Sequence, residues 1–191
     1  MSALTNIVVV YHSGNGHTEK LAHAVAQGIG RKGSQAHIMS VDNLQDFNWD
    51  QLVQADAIIF GSPTYMGGVS AAFKAFIDAS AGVWFKQGWK DKLAAGFTNS
   101  GSMSGDKLST LQQMSIFAAQ HGMMWVSLGL MPGNNSSVGS IEDLNRLGSF
   151  LGAMAQSNAD QSADIVPPKA DLETAKALGE RVALAVLRWK I

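Results

Sequence analysis

The chain is predicted to fold as an α/β three-layer sandwich, with a five-stranded parallel sheet in order 2-1-3-4-5 held between two layers of helices. Three observations predict it. Short apolar runs alternate along the chain with segments whose apolar residues recur at spacings of three and four. The runs are rich in β-branched residues, as strands buried on both faces of a parallel sheet are. Three of them open into turns of Gly, Ser, Thr and Asn, where a sheet of this order gathers its ligand-binding loops.

The first strand is Ile7-Val8-Val9-Val10-Tyr11, and the helix after it carries Leu21, Ala22, Val25 and Ile29 on one face. A second, short strand spans Ala36–Met39, followed by a brief helical segment near Asn48–Gln54. Ala57-Ile58-Ile59-Phe60-Gly61 is the central strand. Its helix starts at Ser70, whose hydroxyl suits an N-cap, and continues through Phe73, Phe76 and Ile77. Leu93–Thr98 is the fourth strand, and the helix with Leu108, Leu111 and Met114 ends at His121-Gly122. Met123–Leu128 is expected as the fifth strand. The last helix follows Pro167-Pro168, with Asp171 as cap, and is expected to bury Leu172, Ala175, Leu178, Val182, Val186 and Trp189.

At 191 residues the chain suits one domain, residues 1–191, with a sizeable core. Two stretches exceed a minimal domain, at about 80–92 (Trp84, Phe85 and Trp89) and 129–170 (rich in Gly, Ser and Asn); loops of that length are usually functional or interface-forming. There is no cysteine, hence no disulfide, thiolate nucleophile or Cys-ligated zinc. His12, His17 and His23 lack the spacing of a helical metal pair, so no metal site is expected. A net charge of −1 with 15% charged residues argues against a nucleic-acid partner, and no apolar stretch is long enough for a membrane span. No leader-like segment opens the sequence, and a cytoplasmic protein is expected. Few charges beside 46% hydrophobic residues favour burial between subunits, as a homodimer or homotetramer.

The turn after the first strand, Ser13-Gly14-Asn15-Gly16-His17-Thr18, joins hydroxyls and glycines to a helix N-terminus, a ready site for a phosphate. Glu19 stands where a dinucleotide fingerprint needs its third glycine, and no Gly-Lys-Ser/Thr follows, so a single phosphomonoester fits better than a polyphosphate. The competing reading is a capped helix start, with Ser13 or Thr18 bonding backbone N–H groups. Further strand ends supply Gly61-Ser62-Pro63-Thr64-Tyr65-Met66-Gly67-Gly68 and Thr98-Asn99-Ser100-Gly101-Ser102-Met103-Ser104-Gly105. Small, hydroxyl-rich turns of this kind offer backbone amides to the edge of a flavin ring. A hydrolase is disfavoured: no Gly-x-Ser-x-Gly elbow exists, and Gly101–Gly105 has Met103 at its centre.

The Ser-x-x-Gly-His-Thr loop resembles the phosphate loop of the flavodoxin superfamily. Asp56–Thr64, Phe97–Gly101 and His121-Gly122-Met123 resemble the WrbA-type NAD(P)H:quinone oxidoreductases of that superfamily, over most of the chain. The resemblance implies a flavodoxin-like fold, FMN as cofactor, NADPH or NADH as reductant and a quinone-like acceptor. It assigns Ser13, Gly14, Asn15, Gly16, His17 and Thr18 to the FMN phosphate. Pro63, Thr64, Tyr65, Met66 and Gly67, with Thr98, Asn99, Ser100, Gly101, Ser102 and Ser104, would hold the ribityl chain and ring. Trp84 and Tyr65 would border the nicotinamide and quinone, Trp84 from a neighbouring subunit, and Tyr65 is a candidate supporting donor. His17 is expected at the phosphate or the pyrimidine edge, and His121 as a cap at the C-terminal end of its helix. Where the family usually has Arg-Phe the chain has Tyr65-Met66, and Gln120 and Ser149–Gly152 replace other usual residues. The alternative is a flavodoxin-like electron carrier without turnover of its own; such carriers are typically strongly acidic, and this chain is near neutral.

Overall fold

The computed structural model describes residues 5–190. In chain order the elements are β1 (Asn6–Tyr11), α1 (His17–Gly30), β2 (Gln35–Ser40), α2 (Trp49–Gln54), β3 (Ala57–Tyr65), β4 (Gly68–Val69), α3 (Ala71–Ala79) and α4 (Ala81–Phe85). They continue with β5 (Leu93–Ser100), α5 (Lys107–Gln120), β6 (Met124–Trp125), β7 (Ala153–Gln156) and α6 (Lys169–Trp189). The sheet runs β2-β1-β3-β5-β6, all parallel. This is the expected order, because the little strand β4 takes a number without taking a place in the row.

The pleat of β1 explains the three layers. Ile7, Val9 and Tyr11 point to a face covered by Leu21, Val25 and Ile29 of α1 and by Leu178, Val182 and Val186 of α6. Val8 and Val10 point the other way, into Phe73, Phe76, Trp89, Leu111, Met114 and Phe117. The two helices of the first face pack backbone to backbone. A Cβ on Gly28 would strike the Lys176 carbonyl oxygen, and one on Gly179 would strike that of Val25. Reciprocal glycines thus set the close approach of α1 and α6 along the C-terminal half of α1.

Several expectations are corrected. The fifth strand is not Met123–Leu128. Only Met124 and Trp125 pair, with Leu93 and Ala94, and β7 takes the rest of that sheet edge by pairing with Phe97–Ser100. Between them the chain makes an excursion secured by Asn145, whose side-chain amide donates to the carbonyls of Leu130 and Ser149. Asp171 is not the cap of α6: Pro168 holds that position and no side chain caps it. Instead Asp171 is buried and bound at both oxygens by Arg146, at 2.7 and 2.9 Å, while accepting the Gln156 N–H. Trp189 lies half-exposed, its indole donating to the Asp91 carbonyl. Trp89, in the 80–92 stretch, is fully buried in the core, its ring centroid 4.2 Å from that of His121 and tilted against it. His121 stands at the C-cap of α5, as expected, but does not cap it as a cation. Burial pushes its imidazole down to about 4, and its Nε2 meets the Ser80 hydroxyl at 2.9 Å.

Candidate active site

Three strand C-termini converge on one cleft of about 160 Å³. Ser13, Gly14, Asn15, His17 and Thr18 come from the β1 turn, Pro63, Thr64 and Tyr65 from β3, and Asn99, Ser100 and Gly101 from the end of β5. The fourth wall is Ser157 and Ala159, just beyond β7.

The β1 turn is left chemically open. Gly16 is the N-cap residue of α1, in a left-handed conformation at φ 81°, and no side chain bonds the first turn. The first backbone bond there runs from the Lys20 N–H to the Gly16 carbonyl at 3.0 Å. Ahead of it, the N–H groups of the first turn have no helical acceptor. The Ser13 hydroxyl is buried and without a partner in the structure. The capped-start reading therefore fails, and the unspent donors suit an anion. His17 is buried in the cleft wall, but its Nε2 sits 2.8 Å from the Gln161 carbonyl oxygen, tying α1 to the chain beyond β7.

Around this turn the second wall is rigid. The Thr64 hydroxyl bonds those of Thr98 at 2.8 Å and Thr110 at 2.7 Å, all three buried, so Thr98 supports the wall instead of facing the cleft. Beyond Tyr65 the chain reverses through Met66 and Gly67, at φ 49° and 82°, a two-residue hairpin turn between β3 and β4. Methionine rarely holds such a backbone, and Met66 projects fully into solvent. The Tyr65 hydroxyl lies over Gly14, bridging two of the loops.

The third wall is the most heavily braced. Asn99 accepts a bond from the Ser157 hydroxyl, and the Gly101 carbonyl accepts one from the Gln156 amide. The Ser157 N–H bonds the Ser100 carbonyl. Beneath, the fully buried Lys107 gives its Nζ to the Ser100 hydroxyl at 2.7 Å and the Ser102 carbonyl at 2.6 Å. Ser102 and Ser104 are exposed and lie outside the enclosed cleft, as do Gly16, Met66 and Gly67.

A shallower hollow of about 580 Å³ shares Tyr65 with the cleft and continues over Met66, Gly67, Gly68, Gln113, Ile116 and Gln120. Trp84 does not line it within this chain; its indole donates to the Gln120 carbonyl at the rim. Among the described residues no cluster of His, Asp and Glu could hold a metal, and no helix is long and apolar enough to cross a membrane.

Ser157, Ala159, Gln156 and Lys107 were not legible as site residues. Ala153-Met154-Ala155-Gln156 lacks the β-branched residues that mark a strand, so the turn after it carried no strand-end signal.

A family model described as NADPH-dependent FMN reductase matches residues 5–135. The chain belongs to that family. Over 183 residues it is 46% identical to Flavodoxin FldP of Pseudomonas aeruginosa, covering 94% of this chain and 96% of that one. It is 33% identical to an NAD(P)H dehydrogenase (quinone) of Archaeoglobus fulgidus, covering 94% and 96%. Among solved structures, a flavodoxin, WrbA-like protein from Agrobacterium tumefaciens superposes with a TM-score of 0.75 at 44% identity, over 96% of this chain and 98% of that one. The fold is flavodoxin-like, and the chain is a WrbA-type member of the superfamily. Membership makes it an FMN-dependent oxidoreductase with NAD(P)H as reductant. The unspent donors of Ser13 and the α1 turn fit the phosphate of that cofactor.

Proposed function

We propose that the chain is an NAD(P)H:quinone oxidoreductase whose FMN is held by the three strand-end turns. The observation that carries this reading is the convergence of those turns on one cleft around a buried, unpartnered Ser13 hydroxyl. Ser13, Gly14, Asn15, Gly16, His17 and Thr18 would hold the phosphate. The Ser13 O–H and the first-turn N–H groups of α1 donate to it, and the helix dipole favours its charge. An enclosed space of about 160 Å³ suits the phosphate and polyol chain, leaving the ring to the outer loops.

Pro63, Thr64, Tyr65, Met66 and Gly67 would form one side of the ring site, and Asn99, Ser100, Gly101, Ser102 and Ser104 the other, with Thr98 bracing the wall from behind. Backbone N–H groups of these turns would stabilise negative charge on the ring. Bound FMN supplies a ring that takes hydride from a reduced nicotinamide and delivers two electrons to an acceptor. The chain's own part is to bind, orient and shield. The hollow beside Tyr65 would receive nicotinamide and quinone in turn, with the Tyr65 hydroxyl as a supporting donor. Trp84 and Phe85 are exposed on α4, and in a cytoplasmic homodimer or homotetramer Trp84 would complete that hollow from a second subunit.

The similarity to a protein named Flavodoxin FldP favours one alternative, an electron carrier that accepts electrons from a partner and has no quinone turnover. An anaerobic titration of the FMN-loaded protein separates the two. Bleaching of the flavin by NADPH or NADH, with colour restored by benzoquinone, is the expected result. Bound flavin that neither nucleotide reduces would overturn the quinone reductase reading in favour of the carrier.

A further inference from the structure

Lys107 is the one feature of the third wall that the mechanism above leaves unused. It opens α5, where the positive end of the helix dipole makes a cation unfavourable, and it is completely buried. Buried charges are ordinarily paired with an opposite charge. The bonded partners of Lys107 are neutral: the Ser100 hydroxyl and the Ser102 carbonyl. The nearby carboxylate, Asp171, is bound at both oxygens by Arg146. Two cations and one anion leave a single positive charge behind the turn that lines the cleft.

The backbone is shaped to allow this. Gly105, at φ 51°, leaves room for Ser100 to come under the turn; a Cβ there would strike the Ser100 Oγ. Burial pushes the Lys107 ammonium down to about 8, Asp171 acting to raise it and Arg146 to lower it further. The amine is therefore poised to respond to a new negative charge across the Ser100–Ser102 turn.

We propose that Lys107 is a positioning residue of the flavin site, which shapes the Ser100–Ser102 turn and sets a buried positive charge behind it that favours reduced over oxidised flavin. The inference rests on the assignment of this turn to the flavin ring. Addition of hydride to the neutral oxidised ring carries two electrons and one proton and leaves the ring with one negative charge, the state that the buried cation stabilises.

The test compares the holoprotein with Lys107→Met, which removes charge and donors, and Lys107→Gln, which keeps two N–H donors without charge. Binding of oxidised FMN and of riboflavin is followed by quenching of flavin fluorescence, the midpoint potential by equilibration with redox dyes, and folding by circular dichroism. In both variants the reduced form should lose about tenfold more affinity than the oxidised form, lowering the two-electron midpoint by about 30 mV. Lys107→Met should also weaken FMN and riboflavin alike, whereas Lys107→Gln should bind oxidised flavin nearly as the parent does. In the unsubstituted protein, reduction near pH 8 should draw an additional proton, seen as a steeper fall of the potential with pH.

Folded variants with an unshifted potential would overturn the proposal. So would a loss of affinity confined to FMN and absent with riboflavin, which would place the action of Lys107 at the phosphate. A parent protein that binds no FMN would instead remove the reading of the site on which the proposal stands.

Discussion

Ser13 carries the sharpest prediction at the scale of one residue. Its hydroxyl is buried and unpartnered, so it does nothing for the fold that a methyl group would not do. Ser13→Ala should leave the melting temperature of the FMN-free protein unchanged and weaken FMN binding. A hydrogen bond to a charged group contributes about 1.5–3 kcal/mol, or roughly a 10- to 150-fold rise in Kd by flavin fluorescence. Unchanged affinity would mean that the phosphate lies elsewhere. The β1 turn was legible in the sequence because its chemistry is contiguous: hydroxyls, glycines and a helix start within six residues. Lys107 was not, because its partners are a strand-end hydroxyl and a loop carbonyl, while its charge has meaning only beside Arg146 and Asp171, far along the chain. His17 was expected at the phosphate or the pyrimidine edge; its Nε2 instead meets the Gln161 carbonyl, in a turn no local pattern announces.

At the scale of elements, strands with a run of Val, Ile or Phe were read correctly, and their register places the three turns side by side. What escaped was structure set by distant contacts. The edge position beside β5 is filled by two short pieces, and the second, β7, holds its place through β5 and through the Arg146–Asp171 pair. The β3–β4 hairpin escaped for another reason: Met66-Gly67 lacks the Asn-Gly or Asp-Gly signal of its turn. Asp171 serves α6, the excursion and β7 at once. Asp171→Ala would leave the Arg146 guanidinium buried without its partner, and breaking a buried pair this way costs about 3–5 kcal/mol. Urea denaturation should show a loss of that size, and a variant as stable as the parent would show that the pair does not anchor the excursion.

For the whole molecule, the ionisable groups give stability a definite dependence on pH. The His121 imidazole titrates near 4 in the fold, below its ordinary 6.5, so the unfolded chain binds more protons between these values. Stability should therefore rise with pH across that window and be lost as pH falls through it. Glu173 and Glu180, held below the usual carboxylate range by Lys176 and by Lys32 with Arg31, act in the same direction. Lys107 repeats the pattern higher up, with stability rising from about pH 8 to 10.5. Tyr11 has the opposite sign: burial and Glu19 raise its phenol from 10 to about 12, so stability falls across that interval. The urea midpoint measured against pH should show the acid limb, and His121→Gln should flatten it between pH 4 and 6.5. An acid limb unchanged in that folded variant would show that His121 is not its source.

The divided sheet edge has a consequence in time as well as in space. The first three turns of the cleft are complete once Gly101 has been made, yet the fourth wall waits for Ser157, and α6, which packs on α1, comes later still. A ribosome-bound chain that has exposed the β1 turn therefore still lacks both the far side of the cleft and the helix that packs on α1. A ligand that touches all four walls can be held in its final setting only after Ser157 has been made, so the cleft is completed long after its first turn.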